Sequence, residues 1–348
     1  VIIYYESGKH MRSILVFLIL SALIAGRSYA AESLTLDEAL ATALKNHPQI
    51  VEAKENLNGA EARAGQALAN YYPQISISAD WARGQIYFPA QESIKISETS
   101  NAGLYLKQTI YDFGRTSGAV ETALGNREAA DNAFTVTRQD LTLRVRVAFY
   151  LVLAIGKQVV AVRENVKARE EVFRQAQEFF NQGIRAKVDV ARAEANFFAA
   201  KTNLIRAENN REIARVELAN AMGIASLGER APVGTSFVLQ PLPERSSSQQ
   251  KALRDRAELQ QFAALKSAAS GNLKSAQSSY LPILSGVASV GYADRDFPPN
   301  SDVWALGLNL TVPLFSGFSS VEQVHEATAA INSIEAKQNN LKLQIIKE

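Results

Sequence analysis

Val303-Trp304-Ala305-Leu306-Gly307-Leu308-Asn309-Leu310-Thr311-Val312 is the stretch that decides how this chain is built. Trp304, Leu306, Leu308, Leu310 and Val312 alternate with Ala305, Gly307, Asn309 and Thr311, large and apolar against small or polar. A period of two belongs to a β-strand, whose successive side chains point to opposite faces. About ten residues is the length a tilted strand needs to cross a bilayer. An apolar face backed by a small or polar one suits a barrel wall with lipid outside and water inside. Trp304, Leu306, Leu308 and Leu310 are therefore expected to face lipid. Strands of a soluble sandwich alternate as well, so this stretch alone leaves both architectures open.

The neighbouring sequence supplies three more strands. Tyr280-Leu281-Pro282 introduces one over about 282–293, a loop from Asp294 to Asp302 follows, and the quoted strand occupies about 303–314. Earlier, Tyr71-Tyr72-Pro73 introduces a strand over about 73–83, a polar stretch runs from Gly84 to Asn101, and another strand occupies about 102–112. In that last strand Leu104, Leu106 and Ile110 share a face on which Gln108 is the exception; strict alternation puts Tyr105, Lys107, Thr109 and Tyr111 on the other. Aromatic residues gather at both strand ends, with Tyr71, Tyr72, Tyr111, Phe113, Tyr280 and Phe315 at one and Trp81, Tyr292 and Trp304 at the other. This is the pattern of two interfacial girdles. Four strands cannot close a barrel, since the smallest outer-membrane barrels have eight, so a membrane reading requires copies to pool their strands.

The two hairpins belong to a tandem repeat. Tyr71-Tyr72-Pro73 and Tyr280-Leu281-Pro282 lie 209 positions apart, and Phe113-Gly114-Arg115 corresponds to Phe315-Ser316-Gly317 at an offset of 202. The expected organisation is upstream residues and a signal peptide over 1–30, a first repeat over 31–231, a linker over 232–250 marked by Pro241, Pro243 and Ser246-Ser247-Ser248, and a truncated second repeat over 251–348. Phe113 to Gly223 spans 111 residues, whereas 33 follow Phe315. A full second repeat would need roughly 75–80 residues more.

Between the hairpins the chain is helical. No proline occurs between Pro89 and Pro232, which permits long uninterrupted helices. Leu141, Val145, Ala148, Val152, Ile155, Val159, Val162, Val166, Phe173, Ala176 and Phe180 follow alternating spacings of four and three, broken only at Arg169. After Asn181-Gln182-Gly183, a turn signal, the spacing resumes with Val190, Ala193, Phe197, Ala200, Leu204, Ala207, Ala214, Leu218 and Ala221. Two coiled-coil seams joined by a short turn make an antiparallel hairpin over about 114–222. A helix from Gly114 to Asn181 would be roughly 100 Å long.

Near its start the chain has the order of a secretory signal: Met11-Arg12, an apolar run from Ile14 to Ala25, and Ser28-Tyr29-Ala30 as a cleavage site. Translation is expected to begin at Met11 and the mature chain at Ala31. No long apolar stretch is expected beyond it, so any membrane span must be made of strands. Lys+Arg number 37 and Asp+Glu 35, which leaves no basic footprint for nucleic acid. The chain has no cysteine, which excludes disulfides, thiolate metal sites and a Cys-linked lipid anchor. His10, His47 and His325 lack the paired spacing of metal ligands. No P-loop is present, and no catalytic residue, metal site or cofactor is expected.

Several short stretches together resemble the TolC-type outer-membrane efflux protein family. They are Leu34-Thr35-Leu36-Asp37-Glu38-Ala39-Leu40 with Asn46-His47-Pro48, Tyr72-Pro73-Gln74-Ile75-Ser76, and the paired strand exits Gln108–Gly114 and Val312–Gly317. Phe180-Asn181-Gln182-Gly183 with Asp189-Val190 and Ala193 is similar to the family's helix-hairpin tip. The resemblance implies a mainly α protein with a membrane β-barrel portion: a homotrimer whose four strands per protomer form a 12-stranded barrel, with long helices extending into the periplasm. It implies a non-enzymatic exit duct of a tripartite efflux or type I secretion system. The duct would sit in outer-membrane lipid and be served by a periplasmic adaptor (membrane fusion) protein and an inner-membrane pump. Gly183, Asp189 and Val190 would lie at the periplasmic tip where adaptors dock, with Asp189 able to cap the returning helix. The competing reading is a periplasmic coiled-coil adaptor or scaffold.

Overall fold

The computed structural model describes residues 33–88, 93–234 and 241–348. The signal sequence, its cleavage site and Pro89 lie outside them. In chain order the elements are β1 (Ser33–Leu34), α1 (Leu36–Asn46), α2 (Pro48–Leu68), β2 (Gln74–Phe88), β3 (Ser93–Tyr111), α3 (Arg115–Asn181), α4 (Lys187–Ala221), β4 (Ala231–Pro232), α5 (Arg245–Asp255), α6 (Ala257–Gln277), β5 (Ile283–Asp294), β6 (Ser301–Thr311) and α7 (Ser319–Lys347). They form two compact units, Val1–Pro48 with Asp140–Leu239 and Gln49–Gln139 with Gln240–Glu348.

In the first unit the helices pack along the two seams. Leu141, Val145, Val152 and Val159 of α3 and Ala207, Ala214 and Leu218 of α4 are buried. Nearer the turn, Val166, Phe197 and Ala200 form a core against which Phe173 and Leu204 pack, with the Phe173 and Phe197 rings stacked at 5.9 Å. Alanine at so many seam positions lets the helices approach closely while still removing apolar surface from water. At the other end, the residues just after the expected cleavage site are tied back. Ser33 and Leu34 pair in parallel with Ala231 and Pro232, and the Val233 N–H donates to the Leu34 carbonyl at 3.0 Å. α1 begins with a capping box. The Glu38 N–H donates to Thr35 Oγ1 and the Thr35 N–H to Glu38 Oε2, which satisfies two N–H groups free at a helix start.

One expectation is corrected here. α3 contains an 18-residue window long and apolar enough, by length and composition, to cross a membrane. The cause is a second apolar row. Leu143, Val147 and Tyr150 are exposed on a helix whose other side is the buried seam, so apolar residues cover more than one stripe of it.

In the second unit β2, β3, β5 and β6 form one antiparallel sheet in that order. α3 and α6 approach it in close contact. A Cβ on Gly271 would lie 2.6 Å from the Thr122 nitrogen and 2.8 Å from the Gly118 carbonyl oxygen, and one on Gly125 2.6 Å from the Ala268 nitrogen. Thr122 Oγ1 donates to the Ala268 carbonyl at 3.1 Å across this contact.

Element lengths recur at a fixed offset. α1 and α5 have 11 residues each, α2 and α6 have 21, and both pairs lie 209 positions apart, as do the starts of β2 and β5. α5 therefore begins inside the stretch expected to be linker, because its start at Arg245 corresponds to the start of α1 at Leu36. The strands of the first hairpin are also longer than expected. β2 continues to Phe88 and β3 begins at Ser93, with Arg83 and Glu98 paired across the ladder at 3.1 Å. The added pairs mix polar and apolar residues, such as Gln85 with Ile96 and Ile86 with Lys95, inside a stretch whose overall polarity reads as loop.

Candidate functional site

The sheet register shows what the strands present on each face. Directly paired residues share a face. Ile77 pairs with Leu104, Leu104 with Val290, and Val290 with Trp304. The neighbouring row on the same face runs Ile75, Leu106, Ala288, Leu306. Leu308 continues it opposite Gly286, and Leu310 opposite Leu284. Trp304, Leu306, Leu308 and Leu310 are thus on one face and 63–79% exposed. Trp81, midway along β2, and Tyr292, near the end of β5, project from this same face. The reverse face carries Ser76, Tyr105, Ser289 and Ala305 in one row and Gln74, Lys107, Val287 and Gly307 in the next. A cleft of about 540 Å³ lies against these rows.

Two details depart from strict alternation. The β3–β5 register shifts between Thr109 and Tyr111, so Tyr111 pairs with Leu284. A β-bulge sets two residues against one. It moves Tyr111 from the polar face, where alternation places it, to the apolar row of Leu284 and Leu310. Gln108 does lie on the apolar face, opposite Gly286. Its amide donates to the Tyr71 and Thr109 carbonyls at 3.2 and 2.8 Å, which supplies backbone acceptors at the strand end with a partner.

Each hairpin hands over to a helix through a sharp turn. Phe113 and Gly114 have φ of 54° and 107°. Asp112, just before this turn, is buried. Its carboxylate accepts from the Gly114 N–H at 3.2 Å and the Thr116 N–H at 2.7 Å, capping α3. In the second copy Ser316 stands in this position. Its Oγ accepts from the Ser320 N–H at 3.4 Å, and Gly317 and Phe318 have φ of 63° and 66°. Cap corresponds to cap at an offset of 204, which corrects the 202 read from the phenylalanines.

The hairpin tip is built around Gly183. Its φ is +75°, a conformation that glycine alone adopts without a steric penalty. The Ile184 N–H donates to the Phe179 carbonyl and the Gly183 N–H to the Phe180 carbonyl, both at 2.9 Å. These two bonds are a Schellman ending. Asp189 does not cap α4. The N-cap is Ala186, which has no side-chain acceptor. Asp189 lies three residues further in, with its carboxylate 3.9 Å from the Arg185 guanidinium and its negative charge at the positive end of the helix. Asp189, Arg185 and Arg192 line a cleft of about 330 Å³ together with Val172 and Phe179. Val190, half-buried, begins the α4 seam. Ile184, Val188 and Phe180 are exposed around it.

Residues 39–224, more than half the chain, match the family described as outer membrane efflux protein. The chain belongs to that family. Among its relatives is the outer membrane protein TolC of Vibrio cholerae, 25% identical over 90% of this chain and 72% of its own length. Another is the alkaline protease secretion protein AprF of Pseudomonas aeruginosa, 26% identical over 65% of this chain and 48% of its own. The fold matches the CmeC outer membrane channel of Campylobacter jejuni with a TM-score of 0.80 at 18% identity, covering 89% of this chain and 68% of that one. It matches VceC of Vibrio cholerae with a TM-score of 0.78 at 19% identity, covering 89% and 75%. The chain thus spans between about half and three quarters of the length of these proteins. The outer membrane efflux family is one of exit ducts for efflux or secretion, not a family of enzymes. This member is an outer-membrane protein whose helices extend into the periplasm.

Proposed function

We propose that the chain is one protomer of a homotrimeric duct that passively conducts substrates across the periplasm and outer membrane. The observation that carries this reading is the sheet register. Apolar side chains from all four strands fall in common rows on one exposed face, mainly small and polar ones, with Tyr105, Val287 and Val303, fall on the other, and β2 and β6 are left as open edges. An unpaired strand edge is not tolerated in hydrocarbon. Three copies placed edge to edge remove every open edge and give 12 strands. In that arrangement Trp304, Leu306, Leu308 and Leu310 face lipid, and the rows of Ser76 and Lys107 face the lumen. A soluble scaffold would gain nothing from so large an exposed apolar face.

The tandem organisation belongs to the same proposal: a first repeat over 31–231 and a second beginning near Arg245, each contributing one hairpin to the barrel. Substrate would arrive from an inner-membrane pump through a periplasmic adaptor. The hairpin tip supports docking of that adaptor at Gly183, Asp189 and Val190, since exposed apolar residues and a charged cleft are brought together there. The test is density fractionation of bacterial membranes expressing the chain, combined with chemical cross-linking. A trimer in the outer-membrane fraction is the expected result. A monomer that partitions with soluble periplasmic proteins would overturn the proposal.

A further inference from the structure

We propose that Lys107 is a selectivity residue of the barrel lumen, giving the duct a preference for anionic solutes at that level. The inference rests on the trimeric barrel proposed above. Lys107 pairs with Gln74 on one side and Val287 on the other, and Val287 with Gly307. It is therefore the one charged side chain in a row that crosses the whole four-stranded wall. Among the described residues no carboxylate lies within ion-pair distance of it, and it is exposed. The next row contributes Ser76, Tyr105, Ser289 and Ala305, none of them charged.

Apart from Lys95, opposite Ile86 near the end of the ladder, the other charge on this face of the described ladder is Asp80. It pairs with Asn101, and its carboxylate accepts a hydrogen bond from the Asn101 amide at 3.0 Å. Six residues of strand separate Asp80 from Gln74, the partner of Lys107, roughly 20 Å. That exceeds the ~8–10 Å over which salt screens exposed charges, so the two act as separate rings. Three-fold repetition turns each Lys107 into one of three ammonium groups around a narrow aqueous lumen, where low-dielectric walls focus their field. Glycines leave that lumen open. Gly103 pairs with Gly291, so in the row that Ser78 and Val303 complete two of the four positions carry no side chain into it.

The chain has no cysteine, so a single introduced thiol reports local charge without background. Ser289→Cys places one in the row beside Lys107. Its rates of modification by a negatively charged and a positively charged methanethiosulfonate of similar size are to be compared in outer membranes carrying the chain. This readout does not depend on whether the periplasmic end is open. The anionic reagent is expected to react faster. Lys107→Gln should lower the anion-to-cation rate ratio by roughly threefold at physiological salt and by more at low salt. Lys107→Arg should keep the ratio, and Asp80→Asn, beyond the screening length, should leave it unchanged. A ratio unaffected by Lys107→Gln while Ser289→Cys is readily modified would overturn the selectivity role alone. Modification of Leu308→Cys as fast as Ser289→Cys would overturn the barrel assignment, and the selectivity role with it.

Discussion

Gly271→Ala adds a single methyl group to the interior of α6, where helix propensity alone favours alanine by about 1 kcal/mol. The structure reverses that sign. The new Cβ would stand 2.6 Å from the Thr122 nitrogen, 2.8 Å from the Gly118 carbonyl oxygen and 2.9 Å from Glu121 Cβ. The first two are backbone atoms of α3, so no rotamer change relieves the contact and the two helices must separate. Overpacking of this kind costs about 1–3 kcal/mol. Separation also lengthens the 3.1 Å bond from Thr122 to the Ala268 carbonyl, worth about 1 kcal/mol. The balance against propensity is a net loss of about 1–3 kcal/mol. Gly59→Ala in α2 is the matched control, because nothing lies within 4 Å of its Cβ position, and it should be neutral or slightly stabilising. Thermal unfolding of the detergent-solubilised protein, followed by helical circular dichroism, compares the two. A Gly271→Ala protein that melts at or above the parent would refute the argument that contact between α3 and α6 outweighs propensity.

Leu308→Arg puts a charge in the exposed apolar row and should cost about 2–4 kcal/mol if it sits at the bilayer midplane; the yield of cross-linked trimer in outer membranes measures it. Asp112→Ala removes the acceptor for the Gly114 and Thr116 N–H groups and should destabilise by about 1 kcal/mol, with Asp112→Asn recovering part of the loss in denaturant titrations. Gly183→Ala forces φ of +75° on a residue with a Cβ, a cost of about 1–2 kcal/mol that faster proteolytic cutting at the hairpin tip would report. Burial first, and the Arg144 guanidinium second, hold the His47 imidazole below its ordinary value, against an opposing hydrogen bond with the Asn220 backbone. The unfolded chain therefore binds this proton more readily, so the stability contributed by neutral His47 is intact above pH ~6.5 and declines as the pH falls below it. Melting curves of the parent and His47→Gln across that range should converge if the assignment is right in sign.

Burial against water is what the sequence displayed most clearly. The seam from Leu141 to Val166 and its partner from Ala193 to Ala221 were legible because a coiled-coil interface repeats regularly. The strand faces were legible wherever lipid-type residues alternate with small ones. What escaped was carried by the backbone. The bulge that moves Tyr111 across the sheet leaves no mark on composition, because an inserted residue changes the register and not the residue types. The extra length of β2 beyond Arg83 and of β3 before Ala102 is held by main-chain pairing in a stretch where polar and apolar residues are mixed. Asp189 looks like a cap from its position after a turn, yet the cap position is three residues earlier, at Ala186, and the helix starts at Lys187. Asp112 and Ser316 accept from the starts of two other helices, α3 and α7, and a charged residue answering a hydroxyl hides that equivalence from any comparison of identities.

The short parallel pairing of Ser33 and Leu34 with Ala231 and Pro232 has a kinetic meaning. It joins residues roughly 200 positions apart, a closure whose entropic cost must be met before its few contacts form. A chain threaded outward from its N-terminus presents Leu34 long before Pro232. Through that interval the leading strand has no mate and the hairpin helices have only each other. The zippering of α3 against α4 is local by comparison and brings the distant ends within reach. The clasp is therefore expected to shut last, after α3 and α4 have zipped together.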